Sequence, residues 1–134
     1  MKNISIIKWL EERWNLSWLI TILIAMTIFI FSSLTFETSI SEGAKSALPI
    51  IYHICAFFFL SLFLFISLVN GKENFLLFFT AFLLSIAYGI TDEIHQFFVP
   101  GRFCSIIDVG FDAIGVIFAS IIYLISLKYR KVKK

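Results

Sequence analysis

Between Tyr88 and Asp112 the sequence gathers residue types that do chemistry: Asp92, Glu93, His95 and Gln96, then Arg102, Ser105, Asp108 and Asp112, with His53 further upstream. Carboxylates beside imidazoles serve as general acids and bases or as metal donors, and a guanidinium pairs with phosphate or carboxylate through parallel hydrogen bonds. Four carboxylates, Asp92, Glu93, Asp108 and Asp112, share this stretch with one arginine. One guanidinium cannot neutralise four carboxylates, so some must be protonated, hydrogen-bonded, metal-bound or open to a ligand. The plainer alternative is that Arg102 and the carboxylates only pin a hairpin. Likewise His53, next to Tyr52 among apolar neighbours, also reads as a buried core histidine, and Tyr88 as an interfacial aromatic. Glu93, His95 and Asp108 are the candidates for acid–base catalysis. Asp92 and His95 at i, i+3, with Asp108 and Asp112 at i, i+4, offer a mixed set suited to zinc or manganese. There is no H-E-x-x-H and cysteine is sparse, so no metal and no cofactor is assigned. Ser105 with His95 lacks an elbow motif or defined oxyanion donors, which weakens nucleophilic catalysis.

The elements that position these groups follow from composition. Of 134 residues, 60% are hydrophobic and only 15% charged, with a mean hydropathy of +0.95. A soluble domain carries about 25% charged residues, so a water-facing globular enzyme is excluded. Disorder requires low hydrophobicity and high net charge, and a net charge of +2 gives no surface for nucleic acid. The remaining class is an all-α polytopic membrane protein. A bilayer core takes about 20 helical residues, and charges mark the limits: Arg13 to Glu37, Lys45 to Lys72, Glu73 to Asp92 and Asp108 to Lys128 bound four apolar stretches. Spans are expected near 16–36, 48–69, 74–96 and 105–127, within one domain covering 1–134 and ending in a basic tail, 128–134. Strands are excluded because the runs do not alternate.

Pro100-Gly101 suits the centre of a type II turn, with glycine at the position that needs positive φ. That tight turn makes spans three and four antiparallel neighbours and brings the end of one beside the start of the other. On span four, Asp108, Asp112, Gly115 and Ala119 form one stripe. On span three, Tyr88, Asp92 and His95 form one stripe and Ser85, Gly89, Glu93 and Gln96 the next. Gly89 and Ser85 are expected to face Gly115 and Ala119, since small residues let helices approach closely in lipid.

Ile4, Ile7, Leu10, Trp14 and Trp18 recur at helical spacing among Lys8, Glu11, Glu12 and Arg13, the pattern of a short interfacial amphipathic helix. The first span is too long for a secretory h-region and reads as an uncleaved anchor. Lys2, Lys8, Arg13, Lys72, Lys128, Arg130, Lys131, Lys133 and Lys134 fall on one side of a four-span topology, against Lys45 and Arg102 on the other. By the positive-inside rule both termini are cytoplasmic and the polar stretch lies at the outer face, with Ser32, Ser33, Thr35 and Glu37 at the same level. The basic tail then reads as a topology anchor and headgroup contact. Asn3-Ile4-Ser5 is a chance glycosylation match on the cytoplasmic side. Cys55 reads as a small buried hydrophobe and Cys104 as a loop thiol, with a disulfide between them the lesser reading.

The run Tyr88-Gly89-x-x-Asp92-Glu93-x-His95-Gln96-x-Phe98-x-Pro100-Gly101-Arg102-x-x-Ser105-x-x-Asp108-Val109-x-x-Asp112-x-x-Gly115 resembles the signature of the VanZ-like family of small bacterial integral membrane proteins. Ser32-Ser33, His53 and Phe57 extend the resemblance to all four spans. This chain departs from the family in having Asp112 where asparagine is frequent, and Ile50, Ile51 and Tyr52 where a charged residue often precedes the histidine. The resemblance implies a multi-pass protein of the bacterial plasma membrane and a theme, since the name-giving member is associated with resistance to the glycopeptide teicoplanin. The favoured expectation is a binding or resistance protein whose ligand site comprises His53, Tyr88, Asp92, Glu93, His95, Gln96, Arg102, Ser105, Asp108 and Asp112. That site would engage a lipid-anchored wall precursor or a lipoglycopeptide. The alternative is a membrane enzyme modifying a lipid headgroup or wall precursor. Membrane lipids are expected partners, nucleic acid is not, and a homo-oligomer is compatible with so few spans. A self-sufficient transporter is disfavoured by the absence of a broken helix or repeat.

Overall fold

A computed structural model describes residues 6–35 and 47–132. The Asn3-Ile4-Ser5 match, Glu37, and the charges of Lys2, Lys45, Lys133 and Lys134 lie outside the described residues. Five helices follow in order: α1 (Ile6–Glu12), α2 (Trp14–Ser33), α3 (Ala47–Leu68), α4 (Phe75–Phe97) and α5 (Ile106–Val132). No strand occurs among the described residues. Four helices are long and apolar enough to cross a membrane: Trp14–Ser33, Ala47–Leu68, Phe75–Phe97 and Ile106–Arg130. The all-α, four-span reading holds. The last helix runs five residues beyond the expected limit of 127, so part of the basic tail is helical.

Local chemistry sets the boundaries. α1 and α2 are separated at Arg13, whose backbone (φ −113°, ψ 54°) leaves the helical region. α3 ends where Asn70 (φ +49°) and Gly71 (φ +70°) both turn left-handed; asparagine and glycine tolerate that conformation best. Asn74 then caps α4, its Oδ1 accepting the Leu77 amide at 3.2 Å. The α4–α5 connection is the expected type II turn: Val99 carbonyl accepts the Arg102 amide at 3.1 Å and Gly101 has φ +79°.

The central helix is α3, which packs on α2, α4 and α5, most extensively on α5. Phe57, Leu60, Leu64, Phe65 and Ile66 of α3 are buried, with Val69 just beyond its end, as are Val116, Ala119 and Tyr123 of α5. Phe65 stacks between Phe78 of α4 (4.8 Å) and Tyr123 of α5 (5.6 Å). Thr21 and Ser67 hydroxyls meet at 3.1 Å between α2 and α3. The outward apolar side chains, such as Leu19, Met26, Leu83 and Ile117, are exposed and supply the lipid-facing surface that a bilayer accepts.

One expected pairing differs. Gly115 faces α3, where an added Cβ would collide with the Ile54 carbonyl oxygen and crowd the Phe58 amide. Gly89 faces Asp112 and Phe57 rather than Gly115. The stripe carrying Asp112 turns toward the helix that carries its hydrogen-bond partner, and spacing along one helix does not reveal which neighbour it meets.

Candidate functional site

Three helices and one turn deliver the polar groups to one end of the bundle. Ser105 starts α5: its hydroxyl accepts the Asp108 amide at 3.3 Å, the first half of a capping box with an acidic residue three positions on. Its own amide donates to Glu93 Oε2 of α4 at 2.8 Å. A carboxylate from the neighbouring helix thus satisfies the backbone donor at the start of α5, and its negative charge sits at the positive end of the helix dipole.

Around Glu93 a chain of side chains closes the hairpin. Gln96 Nε2 donates to Asp92 Oδ2 (3.0 Å) and Glu93 Oε1 (3.2 Å), while its Oε1 accepts from Arg102 Nη2 (2.8 Å). Arg102 therefore reaches the carboxylates through a glutamine that orients both. From α3, His53 Nδ1 lies 2.9 Å from Asp112 Oδ1 of α5, and both are buried, at 5% and 2% exposure. With the imidazole neutral, Nδ1–H donates to the carboxylate and leaves Nε2 as a lone-pair donor. Asp92, Glu93 and Gln96 are buried as well, and Asp108 is half-buried. A ligating nitrogen of His53 and one carboxylate oxygen each from Glu93 and Asp108 lie within 4.8 Å of one another.

Two expected members turn elsewhere. His95 Nε2 pairs with Ser33 Oγ of α2 at 2.9 Å and its ring packs on Phe29 at 4.5 Å. Tyr88 hydroxyl donates to the Ala25 carbonyl at 2.6 Å. Both fasten α4 to α2, because their stripe faces that helix. The mixed set that spacing offered, Asp92 and His95 with Asp108 and Asp112, does not assemble; the donors that converge among the described residues are His53, Glu93 and Asp108. Cys55 and Cys104 are free and exposed.

A second buried polar cluster, unforeseen from the sequence, lies at the opposite end. Glu11 of α1, 7% exposed, takes both Arg130 terminal nitrogens and the Tyr123 hydroxyl at 3.0 Å. That hydroxyl in turn accepts the Gly71 amide at 3.0 Å. Glu11 and Arg130 looked like ordinary interfacial charges, and only their juxtaposition across the fold gives them a partner. A cleft of about 550 Å³ opens at this same end between Phe75, Phe78, Leu124 and Leu127, rimmed by Lys72 and Lys128.

Fold and cluster together define a small multi-pass helical membrane protein with a buried carboxylate–histidine site at one end. The family model described as VanZ/LLP1 matches residues 16–127, and the chain belongs to that family. The match spans all four membrane helices and the turn between α4 and α5. No curated protein and no solved structure matches the chain.

Proposed function

We propose that this VanZ-family protein lies in the bacterial plasma membrane with both termini cytoplasmic and the acidic cluster outward. There it acts in cell-envelope or teicoplanin resistance by engaging a lipid-anchored wall precursor or a lipoglycopeptide. One observation carries this reading: His53, Asp92, Glu93, Gln96, Arg102, Ser105, Asp108 and Asp112 converge from three helices at one end of an otherwise apolar bundle. Ionisable groups at membrane depth are costly, about 2.5–3.5 kcal/mol each at a helix centre on insertion scales, so each one present needs a compensating partner or a role. Arg102 would pair with a phosphate or carboxylate, and the carboxylates would accept hydrogen bonds from amine or sugar groups.

Expression in a susceptible Gram-positive host tests this, with membrane levels matched by immunoblot. The wild-type chain is expected to lower teicoplanin sensitivity with vancomycin sensitivity unchanged, and Glu93→Gln, Arg102→Ala and Asp108→Asn each to abolish the effect. Unchanged sensitivity in every strain would overturn the reading. The buried His53–Asp112 pair favours a second one, a lipid-headgroup or precursor-modifying enzyme in which His53 takes the acid–base role expected of His95. Lipid extracts from the same strains separate the two: a species that appears with the wild type and not with Glu93→Gln means catalysis, and unchanged lipids beside retained resistance mean binding.

A further inference from the structure

We propose that His53, Glu93 and Asp108 form a binding site for one divalent metal ion of the zinc or manganese class. The donors come from three different helices yet lie within 4.8 Å of one another. Ligand atoms about 2.0–2.2 Å from a common ion stand closer together than this, so a small inward movement completes the set. Asp108, half-buried in the first turn of α5, is the donor at the open edge.

The surroundings of His53 and Glu93 match what a metal centre requires. A ligating histidine almost always gives its second ring nitrogen to a carboxylate, which fixes the ring and raises its basicity. Asp112 does this for His53 at 2.9 Å, wholly within the bundle. Glu93 is oriented by two donors, the Ser105 amide on Oε2 and Gln96 on Oε1.

An independent observation favours positive charge at this place. The second carboxylate oxygen of Asp112 is buried and has no hydrogen-bond partner among the described residues. It lies against Gly89, one helical turn before Glu93 on α4, 3.1 Å from where a glycine Cβ would stand. An orphaned oxygen on a buried carboxylate, backed by buried Glu93 and Asp92, is unfavourable unless positive charge is close. Among the described residues Arg102 reaches these carboxylates through Gln96. A dication between His53, Glu93 and Asp108 would offset the excess, and one nitrogen with two carboxylate oxygens suits zinc or manganese rather than calcium, which takes six to eight oxygens. Three protein ligands leave a coordination position open to an exogenous oxygen. Resting on the reading above, that position would accept the phosphate of a wall precursor, which an all-carboxylate site would repel.

Metal binding is measurable with no envelope ligand present. Purified, tag-free, full-length protein in detergent is stripped with chelator and titrated separately with Zn²⁺ and Mn²⁺. Elemental analysis gives stoichiometry, and competition with a chromophoric chelator gives affinity. One ion per chain is expected for at least one of the two metals. His53→Ala, Glu93→Gln and Asp108→Asn should each weaken binding by more than about 10-fold, and Asp112→Asn by about 10–100-fold, the usual range for a residue behind a ligand. Asp108→Glu, which keeps the cap and a carboxylate, should retain stoichiometric binding and guards against misfolding as the cause of loss. The Cys55→Ser/Cys104→Ser chain should also bind one ion. Absence of stoichiometric binding by either metal, binding unchanged in the three ligand variants, or binding lost without the thiols would each overturn the site. A resistance phenotype that persists without metal binding would refute the metal alone.

Discussion

Glu11 shows how far a residue's surroundings can depart from its sequence neighbourhood. In the run Lys8 to Arg13 it is one charge among several, yet it is 7% exposed and holds Arg130, Tyr123 and, through that hydroxyl, Gly71. The arginine is the more exposed partner, at 24% of its side chain against 6% for the glutamate. Removing it strands a buried carboxylate, whereas replacing both ions with apolar groups removes the need for compensation. Arg130→Leu is therefore expected to destabilise the detergent-solubilised protein by about 3 kcal/mol, near the lower end of the range for breaking a buried pair. Glu11→Leu/Arg130→Leu should recover most of that loss. Thermal or denaturant unfolding of the three proteins checks this, and a double variant no more stable than Arg130→Leu would show that the pair itself, with its tyrosine, is indispensable. The His53–Asp112 pair at the other end follows the same rule with both partners buried, so neither can be removed singly without cost.

At the scale of helices, the contact between α3 and α5 is governed by Gly115. A Cβ there would collide with the Ile54 carbonyl oxygen and crowd the Phe58 amide, and backbone atoms cannot rotate away as a side chain does. Gly115→Ala should separate the two helices locally and cost about 1–3 kcal/mol, the usual range for overpacking. Gly89→Ala meets only the Asp112 and Phe57 side chains, which can shift, and should cost less. Unfolding midpoints of the two variants, compared with wild type, decide the order; equal stability of Gly115→Ala and wild type would mean that α3 and α5 are not held at this distance. Because the same contact sets His53 against Asp112, Gly115→Ala should also disturb the polar cluster. Much of this architecture was legible in the sequence. Charge spacing placed four spans within a few residues of the observed helices, and Pro100-Gly101 gave the turn that joins Glu93 to Ser105. Which neighbour each stripe faces was not legible, because a helix's period identifies its faces and says nothing of what stands opposite. His95 and Tyr88 meet α2 and Gly115 meets α3, neighbours that the stripes alone do not name. The Asp112 stripe was legible, but its pairing with His53 depends on a contact 59 residues away.

For the whole molecule, the two polar clusters sit at opposite ends and carry opposite surroundings. The Glu11 end includes Arg130 and the lysines Lys72 and Lys128 at a cleft rim, whereas the Glu93 end carries Asp92, Asp108 and Asp112 with Arg102. Such asymmetry orients a membrane protein, since basic segments beside spans are retained on the cytoplasmic side and attracted to anionic headgroups there. In the proposed orientation Cys104, exposed in the short connection before Ser105, faces the outside of the cell, and the exposed Lys72 in the α3–α4 turn faces the cytoplasm. A membrane-impermeant maleimide applied to intact cells should label the Cys55→Ser chain at Cys104 to the same extent as after lysis. Lys72→Cys, in a chain with Cys55→Ser and Cys104→Ser, should label only once the membrane is opened. The reverse pattern would put the acidic cluster in the cytoplasm, out of reach of a lipoglycopeptide arriving from outside. The outward orientation and lipoglycopeptide engagement would then fall, while the His53, Glu93 and Asp108 metal site, which depends on the helices and not on the side they open to, would stand.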